Sequence, residues 1–270
     1  MKRTVTLAAA VTMAAFTLKG AKAARNPGDV PAASSEATSA DNAEAAGRAG
    51  EKTGTRVTSL KPEELKELAD QPSKVQAVLR EALALTERNL AYTYGSDDPA
   101  KGGMDCSGFV SFVLQQAGFA EVPRDSSEQY LWVRKHGDFH SMQDPGALAA
   151  LRPGDLLFWS GTYTIKRDVP ITHVMIYLGT GKQSGKPLMV GASEGRSYAG
   201  VRQFGVSVFD FKLPSGQPAT GDPGRTPKFE GYATIPGARP GDLVDNKPAP
   251  HGAVRPSSTP HQQEPLSDGD

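Results

Sequence analysis

Between residues 58 and 237 the apolar pattern changes period once, and that change decides the class of fold. Up to about residue 118, apolar side chains recur at steps of three and four, as on one face of a helix. From residue 155 onward they gather in short runs separated by Gly, Pro and Ser, as strands do. Helical spacing begins at residues 61–69, with Pro62 in the first turn and Glu63 and Glu64 behind it. A second helix is expected over 74–90, capped by Ser73, with Val75, Val78, Leu79, Ala82, Leu83, Thr86 and Leu90 on its apolar face. A third is expected from Cys106 to about Gly118, burying Phe109, Val110, Val113, Leu114 and Ala117. A loop dense in Asp, Gly and Pro fills 95–103, and a polar, partly helical stretch runs to about Leu151. Strands are expected at 155–159, 173–178, 188–193, 206–211 and 232–235. Helices first and consecutive strands afterwards predict an α+β domain, with N-terminal helices packed on a mainly antiparallel sheet of about five or six strands.

The flanks lack this patterning. Residues 24–57 are rich in Ala, Ser, Gly, Asp and Glu with almost no large apolar side chains, and 238–270 repeat Pro, Gly, Ser and Gln. Neither can bury enough surface to offset the entropy of ordering, so both are expected to be disordered: a linker and a tail. Residues 1–23 have the pattern of an export signal: Lys2 and Arg3, an apolar run over 5–18, and Ala21-Lys22-Ala23 as a cleavage site. The folded domain is accordingly expected at 58–237 in an exported protein, periplasmic or extracellular, with no membrane span after signal cleavage.

Composition removes several function classes. Lys and Arg number 30 and Asp and Glu number 30, so there is no basic excess of the kind that nucleic-acid binding needs. One Cys and five scattered His cannot build a structural zinc site, no glycine-rich phosphate loop is present, and no metal or organic cofactor is expected.

The single cysteine is the sharpest chemical clue. It cannot form an internal disulfide, and a lone thiol in an exported chain is either buried as a small hydrophobe or chemically used. Cys106 sits at the expected start of a helix, where unpaired N–H groups and the positive end of the dipole favour a thiolate. Asp105 can cap that helix, Gly108 permits close approach, and the Cys106 N–H can serve as an oxyanion donor. A base is also required. Among the histidines, His251 and His261 lie in the tail and His136 and His140 in the polar stretch. His173 stands first in an apolar strand, at the mouth of a cleft or merely satisfying a strand end.

Four segments in order carry a resemblance: Tyr92-Thr93-Tyr94-Gly95, Asp105-Cys106-Ser107-Gly108-Phe109-Val110, Leu151-Arg152-Pro153-Gly154-Asp155-Leu156 and His173-Val174-Met175-Ile176-Tyr177-Leu178-Gly179. Over about residues 73–211 the chain resembles the NlpC/P60 family of cell-wall cysteine peptidases, which have a papain-like core. The resemblance implies Cys106 as nucleophile and His173 as base and later acid. It implies that Tyr92, Asp105 and Ser107 hold the free amino end of a peptidoglycan stem peptide. One position departs from the family: the polar residue that usually orients the base falls on Gly191, and Glu194 is the candidate to replace it, because a carboxylate can accept the ring N–H. The expected function is an exported cysteine endopeptidase acting, as a monomer, on peptidoglycan peptides through a thioester, cutting after D-glutamate at its γ-linkage. Two alternatives stay open: a wall-binding or scaffold protein that has lost turnover, and an acyltransferase or amidase on the same fold. The loop over 160–172, with Lys166, Arg167 and Asp168, is expected either to wall the cleft or to be a solvated hairpin.

Overall fold

A computed structural model describes residues 55–143, 146–215 and 225–240. The expected signal at 1–23 and nearly all of the linker and tail lie outside the described residues.

Three α-helices and a six-stranded antiparallel sheet make the domain α+β. Helix α1 (Ser73–Thr86) buries Val75, Val78, Leu79, Ala82, Leu83 and Thr86, the face its spacing predicted. Its N-cap is Pro72, and no side chain caps it, so Ser73 is the first helical residue instead of the cap. It stops four residues before Leu90, because Asn89 takes a positive φ of 53° and the chain turns into strand β1 (Ala91–Tyr92). The helix expected at 61–69 is instead two 3-10 turns, Pro62–Glu64 and Leu68–Asp70. Between them Leu65 is extended, at ψ 134°, and bridges to Gly181 while the Lys66 N–H donates to the Thr180 carbonyl, so the backbone bonds to a distant segment instead of continuing a helix.

Helix α2 (Cys106–Gln116) is the central one, buried from Cys106 to Ser111 and again at Val113 and Leu114. Asp105 caps it, accepting the Gly108 N–H at 2.7 Å, and Gly118 ends it at φ 84°. Helix α3 (Ser126–His136), capped by Asp125, buries only Ser126, Gln129 and Val133. That narrow stripe explains why its sequence reads as merely polar.

Strand β2 (Gly103–Met104) pairs parallel with β1. The main sheet contains β3 (Phe139–Ser141), β4 (Leu156–Ser160), β5 (Ile171–Thr180), β6 (Pro187–Tyr198), β7 (Val201–Asp210) and β8 (Lys228–Ala233), in the spatial order β3-β8-β4-β5-β6-β7. Strands β4 to β7 form a meander, and β8 returns to lie beside β4. The central strands β4 and β5 are buried on both faces, so their sequences run continuously apolar. One face meets the helices through Leu156, Phe158, Val174, Ile176, Val190 and Val208. The other carries Leu157, Trp159, Met175, Tyr177, Phe209 and Phe229 in a separate, aromatic-rich cluster. Strand β5 begins two residues before His173, which places this histidine inside the strand, beside Trp159 of β4, and not at its first position.

Candidate active site

The site forms where the N-terminus of α2 meets β5 and β6. Asp105 locks the helix tip. Its Oδ1 accepts from the Gly108 N–H, the Ser107 hydroxyl and Arg124, and its Oδ2 accepts from the Gly95 N–H at 2.8 Å and from Arg124 at 2.7 Å. Arg124 also reaches Ser107 Oγ at 3.1 Å and Asp97 at 3.1 Å. From α3, the buried Gln129 amide donates to the Ser107 and Pro123 carbonyls. A carboxylate offers about four lone-pair sites, and five donors already crowd Asp105. In the resting structure Asp105 and Ser107 are therefore occupied by Arg124, and a substrate ammonium would have to displace it.

Cys106 is 6% exposed. The N–H groups of Val174 and Ser107 point at its sulfur, so the thiol sits one residue along β5 from His173. Burial, with the Asp105 charge adding to it, pushes the thiol up to about 12. The helix terminus was expected to lower it; desolvation outweighs that effect here, because a thiolate in apolar surroundings loses its hydration. His173 is also 6% exposed, and its pKa is lowered well below the ordinary imidazole range by burial and then by the nearby Arg196 charge. The resting pair is thus a neutral thiol and a neutral imidazole. Among the described residues the two side chains share no hydrogen bond. Catalytic hydrogen bonds are often long before substrate binds.

His173 Nε2 is buried and without a hydrogen-bond partner among the described residues. Gly191 contributes no side chain, and the space is taken by Met175, whose Cε would lie 3.1 Å from a Cβ built at Gly191. Glu194, the candidate replacement, is exposed, with Arg225 as the charge acting on it, and is not on the ring. Ser193 is buried and lines the same cavity as His173.

That cavity, of about 870 Å³, is walled by Tyr92, Trp159, Tyr163, His173, Ser193 and Arg196 among others; Cys106 is not among the residues that line it. Tyr92 is close enough to the sulfur and to Asp105 that, after burial, their charges raise its hydroxyl well above the usual phenol range. Tyr163 comes from the 160–172 loop, which does wall the cleft, and its hydroxyl is raised by burial and by Cys106. Arg167 of that loop turns away to pair with Asp125. Sequence reasoning missed Arg124, Trp159, Tyr163 and Arg196. The Pro-Arg-Asp-Ser run before α3 could have signalled the first; the others are ordinary strand and loop residues until folding brings them to the cleft. Among the described residues, no three His, Cys, Asp or Glu side chains converge as a metal site, and no helix is long and apolar enough to cross a membrane.

Comparison with known proteins agrees with this geometry. Residues 89–198 match the NlpC/P60 family. A gamma-DL-glutamyl hydrolase of Bacillus subtilis is 32% identical over 91 residues, which is 34% of this chain and 18% of that protein. A probable endopeptidase of Mycobacterium tuberculosis is 38% identical over 98 residues, 36% of this chain and 20% of that protein. A probable endopeptidase p60 of Listeria seeligeri is 34% identical over 92 residues, 34% of this chain and 14% of that protein. The chain therefore spans a fifth or less of the length of these relatives.

Proposed function

We propose that this protein, whose residues 89–198 match the NlpC/P60 family, is an exported cysteine peptidase that hydrolyses amide bonds in peptidoglycan stem peptides through a thioester. The observation that carries the proposal is the Cys106 sulfur at the tip of α2, held by the Val174 N–H next to a buried, neutral His173. A neutral imidazole can take the thiol proton as Cys106 attacks the carbonyl, then return it to the leaving amine. The Cys106 N–H, the first of α2, is available to the oxyanion, because the next three N–H groups already point at the Cys106 sulfur, the Asp105 carboxylate and the Asp105 carbonyl. Water then releases the acyl group. Tyr92 and Tyr163 give the cleft amphipathic walls. A γ-glutamyl linkage is the favoured bond, since one relative is named as a gamma-DL-glutamyl hydrolase and two others as probable endopeptidases.

Mass spectrometry of muropeptides incubated with purified protein and with Cys106→Ala tests this. New stem-peptide fragments from the wild type alone are expected; identical behaviour of the two proteins would sink the proposal.

A second reading is a wall-binding protein without turnover. It is favoured by the His173 Nε2 that no group orients and by Met175 filling the space beside Gly191. Binding of muropeptides by the wild type with no cleavage after prolonged incubation would select it.

A further inference from the structure

The cavity beside His173 carries more positive than negative charge. Lys101, Arg196, Lys212 and Arg225 line it, against one carboxylate, Glu194. Lys212 is matched by Asp210 at 3.2 Å, and Arg225 lies in the field of Glu194. Arg196 is different. Its guanidinium stacks over the Trp159 ring at 4.4 Å, and among the described residues no carboxylate pairs with it. A ring face offers no acceptor for its five N–H donors. Beside it, Trp159 Nε1 is also buried without a partner among the described residues. Burial lowers the Arg196 pKa to about 10, so its charge is held at a desolvation cost that no anion among the described residues offsets. Unmatched donors of this kind, in a cavity next to a reactive pair, are complementary to an anion with two oxygens.

We propose that Arg196, backed by Trp159, is the receptor for a carboxylate of the substrate, held beside the scissile bond. This assignment rests on the peptidase reading above and deepens it. A γ-linked glutamyl residue necessarily keeps a free α-carboxylate on the acyl side of the bond, and a diamino acid on the amine side can carry another. Either presents the same chemistry to a guanidinium. Arg196 is thus a specificity-determining residue, and in the substrate-free site its charge also disfavours protonation of His173.

The test measures kcat and KM of the full chain on three matched stem peptides: one with both carboxylates free, one with the glutamyl α-carboxylate converted to carboxamide, and one with the diamino-acid carboxylate so converted. Wild type is expected to favour the free peptide over one of the amidated peptides about tenfold or more, mainly in KM, and the disfavoured peptide identifies the source. In Arg196→Gln that ratio falls towards one; in Arg196→Lys, which keeps the charge and loses the fork, it is intermediate. Equal loss on all three peptides in Arg196→Gln, or an undiminished ratio, overturns the assignment. Should wild type cleave none of them, the peptidase reading fails separately. Calorimetric binding of the same peptides then decides on Arg196: a preference for the free carboxylate that Arg196→Gln abolishes sustains it, and equal binding overturns it.

Discussion

At the scale of residues, the site is governed by desolvation. Cys106 and His173 are both buried, and burial favours the neutral form of each, so the proposed peptidase would transfer the thiol proton within the attack step and not start from a preformed ion pair. The base must be unprotonated, and its pKa lies well below 6.5. The acid limb of kcat/KM is therefore expected below the ordinary imidazole range. A pH–rate profile checks this, and an acid limb centred at an unshifted imidazole value would contradict it. Removing the base in His173→Ala is expected to lower kcat about 10²- to 10⁴-fold, read by the same muropeptide assay. Asp105 acts through structure: Asp105→Ala strips the cap from α2 and leaves Arg124 only its more exposed pairing with Asp97. It should cost about 3 kcal/mol in denaturant unfolding, well beyond the loss of one cap alone.

Two elements set the geometry around these residues. The first is the tip of α2, where a Cβ on Gly108 would lie 2.4 Å from the Ser96 carbonyl oxygen and 2.9 Å from Asp97 Cα. The backbone of the 95–103 loop crosses the helix this closely only because position 108 has no side chain. Gly108→Ala is expected to destabilise the protein by about 1–3 kcal/mol and to lower activity by displacing Cys106, as thermal melts and peptide assays would show. The second is the turn Arg152-Pro153-Gly154-Asp155, which starts β4. Asp155 is 1% exposed, accepts the Arg152 N–H at 2.8 Å and the Thr234 hydroxyl at 3.3 Å, and lies 3.7 Å from Arg239. Burial nevertheless raises its pKa from 3.8 to about 6. Between those values the folded chain keeps a proton that the unfolded chain has released, so stability falls as pH rises through the window. Asp155→Asn, which keeps an acceptor for Arg152, should flatten that slope relative to wild type, by a difference on the order of 3 kcal/mol between pH 4 and pH 6. Denaturant midpoints across that range would show it, and parallel curves for the two proteins would contradict it.

Among the described residues the six-stranded sheet carries a hydrophobic cluster on each face, and the site lies where α2 reaches that sheet. Phe109 belongs to the helix-side cluster and Phe209 to the other, and both are 0% exposed. Because β4 to β7 contribute to both clusters, neither face can melt alone. Phe109→Ala and Phe209→Ala should each cost about 3–5 kcal/mol and shift a single transition. Circular dichroism and tryptophan fluorescence melts of each variant are expected to coincide; separate transitions would show that the faces are independent.

The sequence by itself determined the class of fold, the buried face of α1, the extent and cap of α2, and Cys106 with His173 as the pair to examine. Each of these is written in local spacing: a step of three or four for a helix, an Asp before a helix start, a continuous apolar run for a strand buried on both sides. The same local rules failed at residues 61–69, where helical spacing exists but the backbone at Leu65 and Lys66 bonds to Gly181 and Thr180 and leaves only 3-10 turns on either side. They were nearly silent on α3, whose buried stripe is three residues wide. Only the tertiary structure decided that Arg124 occupies Asp105, that Glu194 lines the cavity of His173 without a hydrogen bond to its Nε2, that Met175 fills the space beside Gly191, and that Arg196 stands on Trp159 in the cleft. These facts depend on pairs far apart in the chain. Burial also reversed the expected sign of the Cys106 shift, because desolvation is a property of the assembled interior that no helix terminus reveals in advance.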